Sequence, residues 1–135
     1  MKDCIFCKIV KGEIPCYKVY EDENALAFLD INPFSIGHTL IIPKNHSRWV
    51  WDIEKNEYKK LMEKVHYIAN MLRKTFNTEW VEEIIMGIGV EHVHIHLLPR
   101  KLGDGLGEIP THPLKVKPEK EQLQDIANKI KENLS

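Results

Sequence analysis

His92-Val93-His94-Ile95-His96-Leu97-Leu98-Pro99-Arg100 sets three histidines two residues apart, each followed by an apolar residue. Three of the chain's seven histidines fall within five residues. Side chains alternate with period two along a strand, so the spacing predicts His92, His94 and His96 on one face. Val93, Ile95 and Leu97 then turn toward a core. Imidazoles near their titration range repel one another when charged, so clustering them is costly unless something uses them. Three uses compete. The first is a solvated face of an edge strand. The second is a three-histidine metal site for zinc or copper, usually completed by a distant ligand. The third is nucleophilic catalysis, in which His94 attacks an electrophile while its neighbours orient it and bind developing charge. Spacing alone does not choose between the last two.

Trp80 to Gly87 and Val90 to Leu98 read as two strands, or as one interrupted at Gly87–Gly89. Lys18-Val19-Tyr20-Glu21 and Ala25-Leu26-Ala27-Phe28-Leu29 flank a turn at Asp22-Glu23-Asn24. His38-Thr39-Leu40-Ile41-Ile42 is a further strand, closed by Pro43. Apolar spacings of three and four through Leu61, Val65, Ile68, Ala69 and Leu72 predict a long helix, with Asp52 as its cap and Ile53 near its start. Residues 100–113 read as an exposed loop, and Pro118 is expected to open a last helix through Leu123, Ile126, Ile130 and Leu134. This order predicts an α+β domain with a mainly antiparallel sheet.

Composition narrows the function classes. The 135 residues fit one domain. Nineteen Lys and Arg against twenty Asp and Glu leave a net charge of -1, so no nucleic-acid partner is expected. No apolar run reaches the roughly 18 residues of a membrane span, and no membrane partner is expected. Met1-Lys2-Asp3-Cys4 lacks the apolar core of a secretory signal. Three cysteines, two of them in a CxxC, argue against a disulfide framework and for a reducing, cytoplasmic setting. Cys4-x-x-Cys7 alone reads as a redox pair, as half a zinc site or as chance.

The triad segment resembles the signature of the histidine triad (HIT) family of nucleotide hydrolases and transferases. Cys4-Ile5-Phe6-Cys7-Lys8-Ile9-Val10-Lys11-Gly12-Glu13-Ile14-Pro15 is similar to the N-terminal segment of that family's zinc-containing microbial branch. Tyr20-Glu21-Asp22, Ala27-Phe28-Leu29-Asp30-Ile31 and Gly37-His38-Thr39-Leu40-Ile41-Ile42-Pro43-Lys44-Asn45-His46 follow in that branch's order. The resemblance covers about residues 3–106 of a single HIT domain spanning 1–135, with the C-terminal helix at about 118–134.

The resemblance implies a HIT-like fold whose sheet extends across a symmetric homodimer. It implies that His94 attacks the α-phosphorus of a purine nucleotide ester, anhydride or phosphoramidate. Water then cleaves the nucleotidyl-histidine. His92, His96 and His38 would form the polar scaffold, with His96 passing a proton to the leaving group. Asp30 would accept the ribose hydroxyls, or serve only as a turn residue. Phe28 and Ile31 would wall the base, with Ile5, Phe6 and Ile9 as additions; simple packing is the other reading of Phe28. A structural zinc would take Cys4, Cys7, His46 and His92. Cys16 has no partner at metal spacing and reads as a small apolar residue.

The chain departs from the family pattern just before the triad. Gly87 fits the family glycine, but Ile88 and Gly89 stand where Gln and Ser are usual, and an Asn pair is missing. The grip on phosphate would then rest on the backbone N–H groups around Gly87 and Gly89 and on the histidines. Losing one preorganised donor typically costs about 10²–10³ in rate. The expected activity is hydrolysis of purine nucleotide phosphoramidates or phosphoanhydrides. Dinucleoside polyphosphate hydrolysis and a non-catalytic nucleotide- or zinc-binding module are the alternatives. His66 and His112 are expected at the surface, and Trp49 and Trp51 beside Arg48 in packing. Lys101 and Asp104 should form a loop beside the triad, with Arg100 on a substrate phosphate or at the surface.

Overall fold

Short apolar strands bounded by turn residues pair in this chain with their nearest neighbours in sequence first. The computed structural model describes residues 3–134; Met1, Lys2 and Ser135, with the first two positions of the N-terminal reading, lie outside the described residues. Strand β1 (Lys18–Glu21) turns into β2 (Ala25–Leu29) where the Asp22 carboxylate accepts the N–H groups of Asn24 and Ala25 at 2.7 and 2.9 Å. β3 (Thr39–Pro43), β4 (Trp80–Ile85) and β5 (Ile95–Arg100) complete an antiparallel sheet of order β1-β2-β3-β5-β4.

The central strands are buried on both faces, and each face has its own cluster. Ala27, Leu29, Ile41, Ile95 and Leu97 pack beneath two helices, α2 (Lys55–Phe76) and α3 (Lys120–Glu132). Those helices contribute Leu61, Val65, Ile68, Leu72, Leu123, Ala127 and Ile130, the apolar stripes their spacing predicts. The other face carries Leu26, Phe28, Leu40 and Ile42, covered by Phe6 from the short helix α1 (Ile5–Val10). Register places Phe28 opposite Leu40 and Leu40 opposite His96, so His96 shares this second face.

Several boundaries differ from expectation, for local reasons. β5 begins only at Ile95, so His92 and His94 precede the strand. The Val93 N–H donates to the Ser47 carbonyl at 2.7 Å, which ties this segment to the chain after β3 and not to the ladder. β4 stops at Ile85 because the chain then passes under Trp49; a Cβ at Gly87 would sit 2.3 Å from that ring. Gly89 follows with φ +95°, a conformation that favours glycine. Asp52 lies in a 3₁₀ turn (Val50–Asp52), and Glu54 caps α2 by accepting the N–H groups of Asn56 and Glu57. α2 ends at Asn77, which is left-handed at φ 50°. β3 starts at Thr39 and includes Pro43. Pro118 lies before Glu119, whose N–H donates to the Gln122 side chain at 2.7 Å at the start of α3.

Arg100 is neither at the surface nor beside the histidines. It is 2% exposed and stacks on Trp80 with its guanidinium 4.2 Å from the ring centroid. It donates to both Asp104 carboxylate oxygens, to Glu82 and to the carbonyls of Gly107 and Glu108. The 101–110 loop is therefore clamped at the end of β5 opposite His94.

Candidate functional site

The two ends of the sequence match meet beneath the N-terminal segment. Cys4 is the N-cap of α1, and its sulfur accepts the Cys7 N–H at 3.3 Å, which turns both thiols to one side. Cys4 Sγ lies 3.4 Å from His92 Nδ1, and Cys7 Sγ lies 3.5 Å from the same atom and 3.2 Å from His46 Nδ1. All four donor atoms fall within 4.8 Å of one another. Zinc–sulfur and zinc–nitrogen bonds of about 2.3 and 2.0 Å give tetrahedral edges of about 3.5 Å, so the set fits a four-coordinate ion. His92 is fully buried and donates its Nε2–H to the Pro43 carbonyl at 2.8 Å. That bond leaves the Nδ1 lone pair facing the thiols, as an outer-shell carbonyl does for a ligating imidazole. Burial pushes the Cys7 thiol up, and Cys4 adds to the effect; a bound cation reverses that balance.

The remaining histidines form a chain whose protons can be assigned from backbone groups. The Phe34 N–H can only donate, and it lies 3.0 Å from His38 Nδ1. His38 therefore carries its proton on Nε2 when neutral and donates to His96 Nδ1 at 2.9 Å. The His96 proton is then on Nε2, a buried nitrogen with no partner among the described residues. Burial holds His38 down at about 3 and His96 at about 4, with the neighbouring histidines adding to both. Both rings are neutral at pH 7. His94 packs edge-on to His96, ring centroids 5.0 Å apart. Its Nδ1–H donates to the His92 carbonyl at 2.7 Å, so Nε2 keeps a free lone pair. A neutral imidazole with one nitrogen tied to a carbonyl is a nucleophile aimed by its other nitrogen.

Asp30, His38 and His96 also bring three donor atoms within 4.8 Å. They do not make a metal site. His38 Nε2 and His96 Nδ1 are engaged in one hydrogen bond, and freeing the His38 lone pair would orphan the Phe34 amide. Asp30 does part of what a turn residue does, because its Oδ1 accepts the Asn32 N–H at 2.8 Å. Its Oδ2 lies 3.7 Å from His38 Nε2. Burial raises the Asp30 carboxyl, opposed by the Asn32 amide and by His94.

The expected base-binding residues divide. Phe6 is buried and meets His94 edge-on at 5.1 Å, His92 at 6.0 Å and Phe28 at 5.6 Å. Phe28 is packed inside the second cluster, and Ile31 is 57% exposed beside Asp30. Ile5 is exposed and Ile9 packs against the second cluster. Gly87 is buried under Trp49, whereas Gly89 lines a surface cavity of about 630 Å³ with Cys4, Ile5, His46, Arg48, Val90 and Glu91. Arg48 pairs with Glu91 on its rim. His66 and His112 are exposed, and Cys16 packs against the second cluster. Sequence reasoning missed the Phe34 amide, the Pro43 carbonyl and the His92 carbonyl. Each acts through its backbone, so no side-chain pattern signals it.

Known proteins are similar to this chain along nearly its whole length. Residues 11–103 match the HIT domain family. The Bacillus subtilis protein hit is 40% identical over 141 residues, spanning 99% of this chain and 96% of its own. The Schizosaccharomyces pombe adenosine 5'-monophosphoramidase hnt1 is 36% identical, spanning 95% and 98%. A HIT-like protein from Bartonella henselae superposes with a TM-score of 0.86 at 32% identity, over 99% of this chain and 98% of that one. A zinc-bound histidine triad protein from Mycobacterium smegmatis does so at 0.83 and 29%, over 98% and 94%. With the triad, its sheet and the four-residue Cys–His cluster all in place, this chain belongs to the histidine triad (HIT) family.

Proposed function

We propose that this protein hydrolyses purine nucleoside phosphoramidates or phosphoanhydrides through a covalent nucleotidyl intermediate on His94. The observation that carries this reading is the pair of oriented nitrogens on the second sheet face. His94 Nε2 holds an available lone pair, and His96 Nε2 holds a buried, unpartnered N–H beside it. A nucleophile and a hydrogen-bond donor so arranged suit attack at phosphorus, with a phosphoryl oxygen taking the His96 proton as acceptor. His38 Nδ1 must go on accepting the Phe34 amide, so His38 has no second proton to supply. His96 holds its N–H against that oxygen, and the departing amine or phosphate takes its proton through His96, the relay the resemblance implies, or from solvent. When His94 carries the nucleotidyl group it becomes cationic, and the His92 carbonyl stabilises it. Water then displaces a good leaving group.

The ribose hydroxyls bind the free Oδ2 of Asp30, and Phe6 and Ile31 flank the base. The N–H groups at Gly89 and Val90 complete the phosphate grip. Hydrolysis of a phosphoramidate agrees with the activity named for the fission-yeast relative. We also propose that Cys4, Cys7, His46 and His92 hold a structural zinc, with no open coordination position. Two copies join through β4, one of the two edge strands of the sheet. Its Val81, Ile84 and Ile85 are half-buried, and Met86 and Ile88 beyond them are exposed. The reduced thiols suit a cytoplasmic protein.

The test is chemical. Incubated with an adenosine phosphoramidate and quenched in the first turnover, the protein should carry one adenylyl group on His94, located by peptide mass. H94A should lose at least 99% of turnover and keep its thermal midpoint. An adduct on another residue, or an H94A variant with more than a few per cent of wild-type activity, would move the nucleophile elsewhere.

A further inference from the structure

We infer that Cys4 and Cys7 form a peroxide-sensitive modification site whose oxidation slackens the nucleotide site at His94. The inference rests on the zinc ligation and His94 chemistry proposed above.

Two routes run from the thiols to His94, both short. The first is aromatic. Phe6 lies between the two cysteines in sequence, and its ring stands 5.1 Å from His94. α1 has only six residues, and isolated helices below about 12 residues are marginal. Its seat therefore depends on Phe6 packing and on what Cys4 and Cys7 bind. The second route is the His92 backbone. The His92 ring faces both sulfurs, and the carbonyl of the same residue accepts the His94 Nδ1–H at 2.7 Å. Whatever holds the His92 ring also holds the acceptor that keeps the His94 lone pair on Nε2.

The thiols are placed to react. Both are half-exposed, and Cys4 lines the 630 Å³ surface cavity, so a small hydroperoxide reaches it without unfolding. They sit one helical turn apart. For residues i and i+3 that spacing puts the Cα atoms about 5 Å apart, within the range a disulfide spans. Cys16 is equally half-exposed but lies outside the four-residue Cys–His cluster.

The chemistry balances with hydrogen peroxide as oxidant. One metal-bound thiolate attacks a peroxide oxygen, breaking the O–O bond, forming a sulfenic acid and releasing hydroxide. The second thiolate attacks that sulfur, forming the S–S bond and releasing a second hydroxide. The sulfur pair loses two electrons and the peroxide gains them. A disulfide is a poor donor, so only His46 and His92 remain as ligands and the zinc is lost. The step is reversible by a dithiol reductant with zinc.

The experiment treats the purified, zinc-loaded full chain and C16S with hydrogen peroxide. It follows zinc release with a chromogenic chelator, disulfides by peptide mass, amide hydrogen exchange and phosphoramidate turnover. The expected result is one zinc released per Cys4–Cys7 disulfide, with Cys16 still reduced. Exchange should speed up at residues 5–10 and 92–94 and not in α2. Turnover should fall at least tenfold and recover with dithiothreitol and zinc, and C16S should behave as the parent. Turnover unchanged once the disulfide is complete would overturn the coupling. Zinc and both thiols surviving while Cys16 oxidises would overturn the site. A chain that binds zinc but hydrolyses no nucleotide refutes the proposed function alone, and hydrogen exchange then decides the coupling. A chain that holds no zinc refutes this inference and the proposed zinc ligation, and leaves the His94 hydrolysis to its own adduct test.

Discussion

Asp30 shows how one side chain divides its work. Oδ1 holds the turn through the Asn32 amide, and Oδ2 is left for a ligand. A charge-assisted hydrogen bond contributes about 1.5–3 kcal/mol. D30A should therefore raise KM for nucleotide substrates roughly ten- to a hundredfold, at about 1.4 kcal/mol per tenfold. Hydrolysis of a substrate without ribose should change little. D30N keeps an oxygen for the Asn32 amide, so it should match the parent in thermal stability while still losing nucleotide affinity. Equal losses on both substrates would reduce Asp30 to a turn residue. Charge at Asp30 was legible from its place after Phe28-Leu29. Its division into two roles was not, because the turn forms only once β2 ends.

At the scale of elements, the Arg100 clamp is the clearest case of a residue misjudged in isolation. An arginine after a proline at a strand end reads as surface or as a phosphate ligand. Here β4 brings Glu82 and Trp80 alongside, and Asp104 folds back four residues later. Asp104 is held far below the usual carboxylate range by Arg100, and Arg100 is raised in turn. Breaking a buried pair by removing one partner costs about 3–5 kcal/mol. R100M should lower the unfolding free energy from urea titration by an amount near the bottom of that range, since Asp104 can turn to water. Because the clamp lies at the far end of β5, kcat should stay within about threefold of the parent. A large kcat loss with normal stability would place Arg100 in the reaction instead.

For the molecule as a whole, burial of neutral histidines sets an acid limit. In the unfolded chain His38 and His96 titrate near 6.5, whereas in the fold they titrate at about 3 and about 4. Between those values the unfolded state binds more protons than the folded one, so stability rises with pH there and falls as pH drops from 6.5 toward 4. Each site contributes up to about 1.4 kcal/mol per pH unit. Urea unfolding at pH 7 and pH 5 should show that loss, and H38N should remove one histidine's share of the slope, with His92 and His96 keeping theirs. An equal slope in H38N would assign the acid lability elsewhere. The metal cluster supplies the second whole-molecule test. Protein purified without added zinc should carry close to one zinc per chain. Chelation should lower the thermal midpoint and leave partial turnover; freely alkylated Cys4 and Cys7 in folded protein with no zinc would refute it.

Local chemistry in the chain was enough to determine much of this. The apolar stripes of α2 and α3 and the turn at Asp22-Glu23-Asn24 depend on nearest neighbours, so they read directly as helices and a hairpin, whereas the period-two run is strand only from Ile95 onward. Order and spacing of the motif blocks carried the family, and with it the Cys4, Cys7, His46 and His92 set. Tertiary structure alone decided which nitrogen of each histidine holds its proton. Phe34, Pro43 and His92 act through backbone amide or carbonyl groups, which every residue type presents alike. It also decided that His92 and His94 stand outside the strand, because the Ser47 carbonyl captures the Val93 amide before β3 can. Side-chain type records which chemistry a residue can perform. The direction in which its lone pair or proton points is fixed by the partners that folding brings to it.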